Sequence, residues 1–131
     1  MLRVVIDTNI VVSALMSPRG NPAKILDMVA DQKLRICYSP EILAEYTEVL
    51  ARAHFNFSED SRHGFIEGLK LLGLLCKPAE SDIQLLDEDD RCFYDIAKSC
   101  DAILITGNTK HYPVEPFIVT PAEFLTLINN E

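Results

Sequence analysis

The sequence predicts an α/β fold, three layers deep (α/β/α), with a central, mainly parallel sheet of about five strands. Two observations predict it. Short β-branched or apolar runs alternate with longer segments of helical period, the pattern of βαβ units. Helix starts are also signposted between the runs. Taken in order, strands are expected at 2–6, 34–38, 74–76, 102–106 and 117–119. The first run stops at Asp7-Thr8-Asn9, and a second apolar run, Ile10-Val11-Val12, begins beyond it. Asn21-Pro22, Ser39-Pro40 and Thr120-Pro121 each set a capping residue before a proline, whose missing N–H costs nothing at the first helical position. Glu123 completes a capping box with Thr120. Ser58, followed by Glu59 and Asp60, opens a helix whose apolar face is Phe65, Ile66, Leu69 and Leu72. Residues 81–90, with five acids and no aromatic residue, read as a loop.

Composition narrows the function classes. A chain of 131 residues, 48% hydrophobic, fits one domain spanning 1–131. A formal charge of −8 argues against a passive nucleic-acid binder, which normally presents a basic face. An acidic protein can still process nucleic acid when divalent cations screen its carboxylates; the acidity can equally serve solubility or a basic protein partner. Cys37, Cys76, Cys92 and Cys100 form no C-x-x-C pair and have no histidine at zinc spacing, so they read as buried free thiols in a reducing cytosol. No apolar run approaches membrane-spanning length, and Met1-Leu2-Arg3 enters a strand pattern directly. The expectation is a soluble, cytoplasmic protein with no membrane association.

In an open α/β sheet, ligands bind beyond the carboxyl ends of the strands, where Asp7 stands. A turn or cap role is its ordinary alternative. In the helix after Ser39, residues Ile42, Tyr46, Val49, Leu50 and Ala53 form one apolar arc at 100° per residue. Glu45 lies on its border, while Glu41 and Glu48 turn toward solvent, Glu48 paired with Arg52. For 90–100 the apolar face is Phe93, Ile96, Ala97 and Cys100. Asp90 falls near it at the helix start, either as a cap or as a site residue, and Asp89 could substitute for it; Asp95 points to the solvated side. The strand at 102–106 ends in Thr106-Gly107-Asn108, whose Asn can cap or ligate through its amide oxygen. Asp7, Glu45, Asp90 and Asn108 thus reach one rim of one sheet. Crowded carboxylates repel unless a cation lies between them, and an all-oxygen donor set suits Mg²⁺ or Mn²⁺. Such an ion supplies the charge stabilisation and water activation that phosphodiester hydrolysis needs.

Lys110 and His111 follow on the same rim, either as substrate phosphate contacts or as an exposed loop pair, and Arg19 and Lys24 have the same standing. His54 and His63 read as structural or solvated, and no histidine is assigned as a general base.

The chain resembles the PIN-domain ribonucleases, in particular the VapC-like toxin components of prokaryotic toxin-antitoxin systems. The resemblance rests on Val5-Ile6-Asp7-Thr8-Asn9, on 39–45, on Asp89-Asp90-Arg91-Cys92-Phe93 leading to Ala97, and on Leu104-Ile105-Thr106-Gly107-Asn108. It implies metal binding and catalysis by Asp7, Glu45 and Asp90. Thr106 matches the small hydroxyl residue beside the site, and Asn9 the polar residue that helps hold the first Asp. The fourth position, often Asp, is Asn108 here, which removes one negative charge and disfavours a tightly held second metal. An RNA substrate, a protein antitoxin and a homodimer follow from the resemblance, with exposed aromatics near Phe55, Phe57 and Tyr112 as dimer candidates and no nucleotide cofactor. The alternative is a PIN fold that binds RNA or protein without cutting. A phospho-acceptor regulatory domain ranks lower, because Asp7 has no adjacent acid and Lys110 follows a turn.

Overall fold

The computed structural model describes residues 1–129. Its elements run β1 (Leu2–Ile6), α1 (Thr8–Met16), α2 (Asn21–Ala30), β2 (Leu34–Tyr38), α3 (Pro40–Leu50), α4 (Glu59–Leu72), β3 (Leu74–Leu75), α5 (Arg91–Ser99), β4 (Ile103–Ile105), β5 (Ile118–Val119) and α6 (Pro121–Asn129). Short 3₁₀ turns lie at Ala53–Phe55, Glu88–Asp90 and Thr109–His111. The five strands form one all-parallel sheet in the order β3-β2-β1-β4-β5. Val4, Val5 and Ile6 are all fully buried. Successive strand residues point to opposite faces, so helices cover both sides of the central strand. One face takes α5, which packs on β1, β2 and β4; α2 and α4 also reach β2, and α2 packs in turn on α1 and α6.

The strand order fixes where a site can form. From β1 the chain works outward through β2 to β3, then returns to β4 and leaves through β5 on the other side. The order reverses between β1 and β4, and a crevice opens beyond their carboxyl ends. Asp7 follows β1 directly and Thr106 follows β4. Both edge strands have only two residues, which limits the exposed ladder.

Helix starts mostly follow the sequence signals. Ser39 Oγ accepts the Ile42 N–H (3.2 Å) and Ser58 Oγ the Ser61 N–H (3.1 Å). Thr120 and Glu123 exchange both capping-box bonds. At α2 the expectation is corrected: Gly20 occupies the cap position and Asn21 is already helical. The apolar arc of α3 stops at Leu50, and Ala53 is exposed in the following 3₁₀ turn. Strands 3, 4 and 5 are each one or two residues shorter than expected, although Cys76 N–H still donates to Tyr38 carbonyl (2.8 Å).

Asp95 is the clearest correction. Instead of facing solvent it is 3% exposed, because 81–83 fold over that side of α5. Its carboxylate accepts the Ser81 hydroxyl at 2.5 Å. Arg91 completes a clasp, donating to the Ser81 and Ile83 carbonyls (2.8 and 2.6 Å) and to Glu88. All four cysteines are free; Cys37 is buried and the other three are half-buried. Among the described residues no helix is long and apolar enough to cross a membrane.

Candidate active site

Asp7 continues the strand ladder and opens a helix at the same time. Its N–H donates to the Ile105 carbonyl, and its own carbonyl accepts from the Ile10 N–H, both at 3.0 Å. Its side chain makes no capping bond to α1. Instead Oδ2 accepts the Thr106 hydroxyl (2.8 Å) and, more weakly, the Tyr112 hydroxyl (3.4 Å). A nearly buried carboxylate, 9% exposed, is thereby held in the crevice between β1 and β4. Just before it, the Ile6 carbonyl accepts the hydroxyl of fully buried Tyr46, so α3 is tied to the end of β1 one residue from Glu45.

Asp90 comes to the same crevice from the start of α5. It stands at the cap position, yet its carboxylate makes no cap bond. Oδ2 is buried without a hydrogen-bond partner, and His111 Nδ1 lies 3.7 Å away. Burial pushes the Asp90 carboxyl up to about 6, with the charges of Asp7, Asp87 and Asp89 adding and His111 opposing. The Glu45 carboxyl is also raised, first by burial and then by Glu48, against Arg52, with further contributions from Asp89 and Asp7. Asp7 therefore acts electrostatically on both Asp90 and Glu45.

The expected residues divide by geometry. Asp7, Asp90 and Thr106 gather with His111 around the switch point, while Glu45 and exposed Asp89 line an adjoining groove of about 840 Å³. Asn108 gives its backbone N–H to Thr106 Oγ1 (3.1 Å), and its side-chain nitrogen lies 2.9 Å from His111 Nε2. Asn9 is corrected: it is exposed on α1, and Thr106 and Tyr112 hold Asp7 in its place. Lys110 is exposed on the rim. Tyr112 is corrected from an exposed interface aromatic to a buried one, 6% exposed, whose hydroxyl is pushed well up by burial and by Asp7 and Asp90.

Among the described residues no three His, Cys, Asp or Glu side chains lie close enough to enclose an ion by themselves. The donor chemistry still fits a hard cation. Asp90 Oδ2 is a buried carboxylate oxygen with no donor, which is costly unless a positive charge meets it. Mg²⁺ commonly takes one or two carboxylates and keeps several waters, so Asp7 and Asp90 would be enough as protein ligands, with Glu45 lining the adjoining groove.

Sequence reasoning missed Tyr46 and Tyr112 as site supports. The only signal was that a buried tyrosine needs a partner for its hydroxyl, which does not say which partner.

A PIN domain family model matches residues 3–110, a span holding Asp7, Glu45, Asp90, Thr106 and Asn108. An uncharacterized protein of Methanocaldococcus jannaschii is 32% identical over 110 residues, covering 82% of this chain and 71% of that protein. With most of its length inside the family match, and with acids from separate elements meeting at the switch point of a five-stranded parallel sheet, the chain belongs to the PIN domain family, whose members are generally nucleases that use divalent metal ions.

Proposed function

We propose that this protein is a Mg²⁺- or Mn²⁺-dependent endoribonuclease that hydrolyses phosphodiester bonds in single-stranded or looped RNA. The observation that carries the reading is Asp90: its buried, partnerless Oδ2 and raised carboxyl lie in the field of Asp7. When bound, the ion supplies positive charge to the phosphate and lowers the pKa of an attacking water. Asp7 and Asp90 would hold it, with Glu45 of α3 in the adjoining groove. Thr106 and Tyr112 both bind Asp7 Oδ2, which fixes the carboxylate and leaves its other oxygen for the site. A carboxylate beside the attacking water orients it and takes its proton.

The biological setting proposed is a cytoplasmic toxin, homodimeric and held inactive by a protein antitoxin; this rests on the resemblance of the motifs around Asp7, Glu45 and Asp90. Asn108 favours a second reading, a PIN module that binds RNA or protein without cutting, since a neutral amide beside His111 stands where the family often has a carboxylate.

Labelled RNA incubated with Mg²⁺ or Mn²⁺, with and without chelator, beside Asp7→Asn, tests both. The nuclease reading expects cleavage that chelation and the substitution each abolish. Cleavage that survives either one overturns the metal mechanism, and RNA or partner binding with no cleavage by the wild type favours the module.

A further inference from the structure

We infer that the groove between residues 83–86 and 110–113 is a one-nucleotide subsite, seating the RNA nucleotide next to the phosphate that is cut; the inference rests on the ribonuclease reading. A chain of net charge −8 repels a polyanion over most of its surface, so where RNA approaches is an electrostatic question.

Two grooves flank Asp90, and they differ in charge. The larger carries six acids, among them Glu41, Glu45 and Asp89, against Lys77 and an Arg91 already engaged with Glu88, Ser81 and Ile83. The other, of about 410 Å³, has no carboxylate in its lining and carries Lys110 and His111. Its walls are apolar: Ile83 and Pro113 line it, with Leu86, which is 82% exposed.

Each part of a nucleotide finds a counterpart there. Lys110 makes no ion pair among the described residues and is open to a phosphate. The imidazole edge of His111 is turned to Asn108 and Asp90, which leaves the face of a half-exposed ring for a base to stack on, beside Leu86. His111 also sets the register. With Nδ1 3.7 Å from Asp90 Oδ2, a nucleotide lying on the ring has its neighbouring phosphate at the acidic centre. The neighbouring hollow shares Lys110 but adds Glu115 and Glu123, so acids outnumber the lysine there and favourable footing is confined to the first groove.

The test is anisotropy of a short, fluorescent, nuclease-resistant single-stranded oligonucleotide (2′-O-methyl, phosphorothioate) in Mg²⁺ across a salt series. Lys110→Glu is expected to weaken binding by about tenfold, and Lys110→Gln to lower the slope of log affinity against log salt by about 0.7. Lys77→Glu, in the larger groove, is expected to change affinity less than about twofold. Photo-crosslinks from a 4-thiouridine strand are expected at 83–86 and 110–113. If the wild type binds while Lys110→Glu is unchanged, or if Lys77→Glu is the damaging change, the subsite is wrong and the ribonuclease reading stands. If the wild type binds no RNA at all, both fall.

Discussion

Asp90→Asn is expected to make the metal-free protein more stable at neutral pH. The Asp90 side chain is 17% exposed, and its carboxyl titrates at about 6 against an ordinary 3.8. The folded value lies above the unfolded one, so the folded state resists ionisation. Below about 3.8 the group is protonated in both states and carries no penalty; the penalty grows as pH rises and is complete above about 6. The difference corresponds to at most ~3 kcal/mol, reduced to about 1–2 kcal/mol because water reaches part of the group. For a domain of this size that is a rise of roughly 3–8 °C in the unfolding midpoint. Thermal and urea denaturation in chelator, at pH 8 and pH 4.5, read it directly. The variant is expected to be the more stable at pH 8, with the gap narrowing at pH 4.5, and added Mg²⁺ is expected to stabilise the wild type more than the variant. A variant no more stable than the wild type at pH 8, or a gap that does not change with pH, would refute the account of Asp90 as a strained charge.

Three further substitutions probe the support around the site. Thr106→Val removes the shorter hydroxyl bond to Asp7 and the acceptor of the Asn108 N–H, and is expected to cost about 1–3 kcal/mol in urea denaturation and to weaken Mg²⁺ binding by calorimetry. Gly73→Ala builds a Cβ 2.5 Å from the Leu69 carbonyl oxygen and 2.8 Å from the Tyr38 ring; the expected loss is about 1–3 kcal/mol, with the midpoint lowered accordingly. Arg91→Ala opens the clasp on 81–83, and limited proteolysis is expected to cut the 81–90 loop several-fold faster while far-ultraviolet circular dichroism stays unchanged.

The fold was legible because β1 and β2 are carried by apolar runs broken only by Arg3 and Arg35, whose pattern depends on the sheet alone. Ser39, Ser58 and Thr120 were legible for a similar reason, since capping is local chemistry. Asp95 was not, because a helical projection assumes that the side away from the sheet meets water, whereas 81–83 cover it. Tyr112 lies in an irregular segment, where no periodicity distinguishes a buried ring from an exposed one. Within the site, Asp7 and Asp90 were marked by their junctions, but the exchange of Asn9 for Tyr112 as a support of Asp7 depends on a contact between residues 105 apart in sequence.

That separation bears on how the protein comes into being. The partners of Asp7 are 99 and 105 residues downstream, and its N–H is met by Ile105. A chain growing from its N-terminus carries Asp7 and Glu45 long before it has anything to hold the first of them in place. The acidic centre is therefore assembled only once residues 105–112 have been made, and a nascent or truncated chain ending before Thr106 has the acids without the site.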